Sequence, residues 1–142
     1  MKTITRTVDS VWRLGELFWK LSDRERRIAR SLYRLLTRGR LVPVSELARH
    51  AGMAEVVVED QLARWPDVFR DSQGCVEGFW GLTFHPMKHR LIIAGRTAYT
   101  WCAWDTLFIP LILGELVEVR SACEATGEEI SLRVGHLLTP RR

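Results

Sequence analysis

Pro43-Val44-Ser45-Glu46-Leu47-Ala48-Arg49-His50-Ala51-Gly52, followed by a helical run from Ala54 to Trp65, is the stretch whose reading decides the fold. Ser45 offers a cap for a short helix, and Gly52 offers the tight turn into the next one. Together they read as the centre of a helix-turn-helix. Upstream, Ser22 with Glu25 three residues on makes a capping-box pattern. The helix it opens puts Ile28, Leu32, Leu35 and Leu36 on one face and leaves Arg24, Arg26, Arg27, Arg30 and Arg34 mostly outside, with Gly39 as its stop. A further short helix is expected over Val11–Trp19, weakened by Gly15. Downstream, Pro66 ends the last helix. Val68-Phe69 and Val76–Phe84 read as a hairpin around Asp71-Ser72-Gln73-Gly74, the wing position of a winged helix.

Beyond Phe84 the pattern changes. Leu91-Ile92-Ile93-Ala94 is a β-type run before a Gly95-Arg96 turn, and Ala98–Leu113 reads as a mostly buried helix interrupted by Pro110. Val117–Arg120 and Ile130–Val134 alternate as two strands around Ala125-Thr126-Gly127-Glu128. The class predicted is α+β, with a winged-helix-like helical domain followed by antiparallel strands and a helix. The boundaries expected are 1–20 for an N-terminal helix, 21–84 for the winged-helix-like domain and 85–142 for a second domain.

Composition narrows the function. The 142 residues are 46% hydrophobic and 27% charged, as in a globular chain. The longest apolar run, Leu107–Leu113, falls far short of the ~20 residues a membrane helix needs. No secretory signal is legible at the N-terminus, so a cytoplasmic location is expected. Cys75, Cys102 and Cys123 include no C-x-x-C pair, and they read as free thiols. His85 and His89 are separated by Pro86, which argues against a helical metal pair. With no phosphate loop, nucleophile elbow or H-E-x-x-H, no cofactor is expected.

Charge is uneven. Residues 1–50 carry twelve Lys/Arg against five Asp/Glu, whereas 51–142 carry nine against twelve. A basic half is one sign of a nucleic-acid surface. The helix that would read bases, however, holds Glu55, Glu59 and Asp60 against Arg64 alone. Carboxylates repel phosphates, so the winged helix is expected to be a packing module and DNA is not an expected partner.

The densest chemistry lies in Tyr99-Thr100-Trp101-Cys102-Ala103-Trp104-Asp105-Thr106-Leu107. On a helix, Cys102 and Asp105 would share a face, and a helix N-terminus would lower the thiol pKa. Flanking tryptophans would exclude water and raise the pKa of the carboxyl, so that it can hold and pass a proton. A soft-metal-binding sulfur beside a proton-carrying acid is what protonolysis of a carbon–metal bond requires. A buried cysteine among aromatics also has a plainer reading, as a small hydrophobe.

Gly81-Leu82-Thr83, the Tyr99–Leu107 run with Pro110, and Ser121-Ala122-Cys123-Glu124-Ala125-Thr126-Gly127 together resemble the organomercurial (alkylmercury) lyase family, in order and spacing over roughly residues 80–134. The resemblance implies an N-terminal winged-helix-like domain and a partial lyase core over 85–142. It implies cleavage of carbon–mercury bonds to a hydrocarbon and Hg(II), with Cys102 binding mercury, Asp105 passing the proton and Cys123 structural. It also implies an organomercurial substrate and a place in mercuric resistance, with thiol donors or a mercuric reductase downstream. The family's second catalytic cysteine falls beyond Arg142, where this sequence stops. An alternative therefore stands beside the lyase: a truncated, non-catalytic mercurial-binding or winged-helix regulatory relative. The apolar load of Trp101, Trp104, Leu107, Phe108, Leu111 and Ile112 exceeds what one hairpin covers, so self-association through this helix and the 117–134 hairpin, or a partner supplying further strands, is expected.

Overall fold

A computed structural model describes residues 18–135. Helix α1 (Asp23–Leu36) opens with the expected capping box. The Ser22 hydroxyl accepts from the Glu25 N–H at 3.3 Å, and the Glu25 carboxylate accepts from the Ser22 N–H at 2.7 Å. Its buried face is Ile28, Ala29, Leu32, Tyr33, Leu35 and Leu36. The expected helix over Val11–Trp19 lies, apart from its last two residues, outside the described residues.

Helices α2 (Val44–Ala51) and α3 (Glu55–Arg64) follow, separated by Gly52 in the left-handed conformation. Ser45 does not cap α2. The N-cap is Pro43, and no side chain bonds there, because the fixed φ of proline already sets the entry of the chain. Leu47, Val58 and Leu62 drop from α2 and α3 into the core beside α1.

The strands are β1 (Val68–Arg70), β2 (Val76–Phe79), β3 (Leu82–Thr83), β4 (His89–Ile93), β5 (Arg96–Thr100), β6 (Val117–Ala122) and β7 (Glu129–Val134), with α4 (Asp105–Leu113) between β5 and β6. They form one antiparallel sheet in the order β1-β2-β3-β5-β4-β6-β7. The wing is thus continuous with the C-terminal strands, joined where Leu82 faces Thr100 and Thr83 faces Tyr99.

Three local expectations need correction. Val76–Phe84 is not one strand: Trp80 (φ 38) and Gly81 (φ 90) reverse the chain between β2 and β3. The second turn is Ala94-Gly95 (φ 49 and 77), and Arg96 already belongs to β5. Ala98–Leu113 is not one helix, because β5 runs to Thr100 and α4 begins at Asp105. Thr97, Tyr99 and Thr100 favour a pleated surface, and the strand they form pairs with β4 on one edge and, at Tyr99 and Thr100, with β3 on the other.

Wing strand β2 carries one residue more than its partner. Val76 faces Arg70 and Gly78 faces Phe69, so Glu77 is a bulge. The extra residue lets Val76 and Phe79 both enter the core, while Glu77 and Gly78 line a cleft on the other side. Behind Phe79, the Tyr33, Trp65 and Trp80 rings pack in a chain with centroid separations of 4.5–5.5 Å. No helix among the described residues is long and apolar enough to cross a membrane.

The Ala94-Gly95 turn gives a stability test. Ala94 occupies a left-handed conformation that costs an L-residue roughly 1–2 kcal/mol, and Asn tolerates it best beside Gly in this turn. Ala94→Asn is therefore expected to stabilise the chain by about 0.5–1 kcal/mol in urea denaturation. An unchanged or lowered midpoint would count against the turn.

Candidate active site

The pairing of β3 with β5 sets Gly81, just before β3, against Trp101, just after β5. The Trp101 N–H donates to the Gly81 carbonyl at 2.9 Å. The chain then turns through Cys102, Ala103 and Trp104 into α4, whose first residue is Asp105. Both backbone groups of Cys102 are tied down in this turn. Its N–H donates to Asp105 Oδ2 at 3.0 Å, and its carbonyl accepts from the Thr100 hydroxyl at 3.0 Å.

Asp105 is only 2% exposed. Its carboxyl sits where a side chain at position 81 would begin, since a Cβ on Gly81 would lie 2.5 Å from both its Cγ and its Oδ1. Glycine is needed at 81 twice over, for this approach and for the positive φ. Oδ2 is held by Cys102, while Oδ1 is buried with no hydrogen-bond partner among the described residues. Such an oxygen favours the protonated acid. Burial raises the Asp105 pKa to about 6, against the opposing pull of Cys102, whose side chain and N–H both lower it. By ordinary titration roughly a tenth of such a group carries its proton at pH 7.

Cys102 reverses one expectation. Its thiol is shifted up, chiefly by burial and then by the neighbouring Asp105 charge, rather than down. The reason is position: Cys102 lies in the turn three residues ahead of α4, not on a helix, and it is half-buried beside a carboxylate. The flanking tryptophans face different surroundings. Trp104 is 43% exposed, and Trp101 stacks edge-on against Phe69 at 5.2 Å, over Gly78. There Phe69, Glu77, Thr83, His85 and Met87 complete an apolar cleft of about 260 Å³.

Two neighbours of the site escaped the sequence reading. Tyr33 of α1 is buried, donates its hydroxyl to the Trp80 carbonyl at 3.0 Å, and is held neutral by burial and by the Asp105 charge. Thr100 fixes the Cys102 carbonyl. Tyr33 lies far from Asp105 in sequence, and no local spacing marks it. Thr100 stood inside the quoted motif, but its role depends on the turn that follows β5.

The remaining sequence candidates lie elsewhere. Cys75 is in the wing, where its N–H donates to Asp71. Cys123 opens the β6–β7 turn, its thiol lowered mainly by the Thr126 side chain and turn N–H groups. His85 contacts Glu77 at 3.1 Å and His89 contacts Ser121 at 2.8 Å, so the two imidazoles have separate partners. All three thiols are free.

A half-buried thiol and a buried carboxyl of raised pKa are thus joined by a backbone hydrogen bond where a winged helix meets an antiparallel sheet. Two family models match the chain: residues 21–80 match the helix-turn-helix domain of alkylmercury lyase, and 82–137 match alkylmercury lyase itself. The chain is 39% identical over 105 residues to the alkylmercury lyase of Staphylococcus epidermidis and 41% identical over 105 residues to that of Streptomyces lividans. Each match covers 74% of this chain and 48% of the relative. The chain thus spans about half the length of the curated relatives it matches. The structure superposes on the mercury-bound form of MerB2 with a TM-score of 0.65 and 28% identity, over 87% of this chain and 62% of that one. This chain belongs to the organomercurial (alkylmercury) lyase family.

The acid also makes stability depend on pH. A carboxyl raised from 3.8 to about 6 costs nothing while it is protonated in both the folded and unfolded states. As pH rises from about 4 to 6 the unfolded chain ionises first, and the folded state loses up to about 3 kcal/mol relative to low pH. Asp105→Asn should therefore gain on wild type over that window and level off above it, as read by urea titrations at pH 4, 5, 6 and 7. A difference independent of pH would refute the burial of a titrating acid. Gly81→Ala is expected to cost at least about 2 kcal/mol in the same measurement, because the new Cβ must displace the carboxyl.

Proposed function

We propose that this chain is an alkylmercury lyase-type protein that cleaves carbon–mercury bonds by protonolysis, with Cys102 as the mercury-binding nucleophile and Asp105 as the proton carrier. The single observation carrying the reading is the buried Asp105 carboxyl, bonded through one oxygen to Cys102 and, among the described residues, unpartnered at the other.

The chemistry balances with these two groups. The Cys102 S–H meets an organomercury cation; the sulfur–mercury bond forms as the thiol proton passes to the Asp105 carboxylate. That carboxyl then delivers the proton to the carbon as the carbon–mercury bond breaks. Hydrocarbon leaves, Asp105 is ionised again, and Hg(II) stays on sulfur. A thiol shifted up keeps its proton until a soft metal displaces it, and an acid near pKa 6 both accepts and releases that proton close to neutrality. Hg(II) favours two soft sulfur ligands, so an external thiol donor completes the coordination and removes the product. No cofactor enters this sequence. A cytoplasmic setting, where free thiols are abundant, and a role in mercuric resistance ahead of a mercuric reductase fit this scheme.

Release of benzene from phenylmercury by the purified chain with excess thiol, followed by gas chromatography, is the direct test. Wild type should form benzene. Cys102→Ser should form none and, in a Cys75→Ser, Cys123→Ser background, should lose the mercurial adduct in native mass spectrometry. Asp105→Asn should still bind the mercurial but turn over about 100-fold or more slowly, the usual worth of a positioned general acid. Absence of benzene from wild type, with binding intact, would remove the catalytic reading.

A further inference from the structure

We propose that two copies of this chain associate through the free edge of β7, which pairs antiparallel with itself about a two-fold axis at Ser131. β7 ends the sheet, and its outer edge has no partner strand among the described residues. Which backbone groups point outward follows from the turn. The Cys123 N–H donates to the Glu128 carbonyl, and pairing continues from Ala122–Glu129 to Val117–Val134. In an antiparallel ladder this turns the polar groups of Ile130, Leu132 and Val134 toward β6 and those of Glu129, Ser131 and Arg133 outward.

Glu129-Ile130-Ser131-Leu132-Arg133 is self-complementary when reversed about its centre. With Ser131 opposite Ser131 of a second copy, Glu129 faces Arg133, and Ile130 faces Leu132. The three outward-facing residues of each copy then meet as hydrogen-bonded pairs, giving about six new backbone bonds. On one face the pairing joins opposite charges. Arg133 has no ion-pair partner among the described residues, whereas Glu129 already lies beside Arg90 and Arg120, where it accepts hydrogen bonds or ion pairs. On the other face it joins side chains that are bare in a single copy, Ile130 at 48% and Leu132 at 47% exposure. Close, non-hydrogen-bonded positions are where opposed apolar side chains touch best. Leu107 and Leu111 are likewise exposed on α4, the helix packed against β7. A long edge strand with apolar side chains and no proline or inward charge is built to pair, and a two-fold contact closes without propagating into fibres.

Sedimentation equilibrium of the purified chain across about 1–100 μM, the span over which modest interfaces assemble, is expected to give twice the 16.4 kDa chain mass at the upper end. Ser131→Pro removes the central N–H and should leave a monomer whose thermal transition matches that of dilute, monomeric wild type. Arg133→Glu sets Glu against Glu and should weaken association by about tenfold or more. In Ser131→Cys, oxidation should yield a peptide pair linked through position 131 in mass spectrometry, which identifies the register. A monomer throughout the range, or a dimer insensitive to both Ser131→Pro and Arg133→Glu, would overturn the proposal.

Discussion

The Asp105 carboxyl occupies the space a side chain at position 81 would take, and most of the site follows from that one approach. For the carboxyl to reach it, the chain must reverse at Trp80-Gly81, β3 must pair with β5, and the turn after β5 must bend directly into α4. Each step is fixed by something independent: the left-handed pair 80–81, the ladder, and the Thr100 bond to Cys102. What results is an ionisable group held in low dielectric against bare backbone. That is an unfavourable place for a charge and a favourable one for a proton.

Legibility in the sequence divided along physical lines. The capping box at Ser22, the Gly52 turn and the alternation in 117–134 rest on local rules, and the structure repeats them. Cys102 and Asp105 stand out in the sequence as a pair and the structure brings them together, but in a turn and not along a helix face. Apolar and aromatic residues dominate 98–113 without a clear period, so periodicity cannot tell strand from helix there. The pattern predicts a helix where β5 and a turn stand, and the expected lowering of the thiol pKa falls with it. Tyr33 and Gly81 contribute through contacts made across the fold, and no spacing rule reaches that far.

The uneven charge also has a structural meaning. Arg40 binds Glu46 through two hydrogen bonds at 2.6 and 2.9 Å, with Arg38 beside it, and Arg70 of the wing reaches Glu59 of α3 at 2.7 Å. Glu59, one of the carboxylates that make α3 a poor reader of phosphates, thus helps to clasp wing to helix. These pairs are exposed, so each adds little stability by itself. On the outer face of α1, Arg26, Arg27, Arg30 and Arg34 gather with His50 around an open basic groove, the solvated flank of a helix whose other side is core.

The joint between β3 and β5 is only two residue pairs long, yet the wing and the C-terminal strands meet there and the reactive turn hangs from it. Fraying at either end of the sheet, at β1 or β7, leaves those two pairs intact. Parting them separates Gly81 from Trp101 and opens the pocket around Asp105 in the same movement. Protection of the acid is therefore a property of the whole cooperative unit and not of the loop that carries it. The half-buried Cys102 thiol keeps its own contact with solvent, while the lifetime of the intact seam sets how long the Asp105 carboxyl is screened from water.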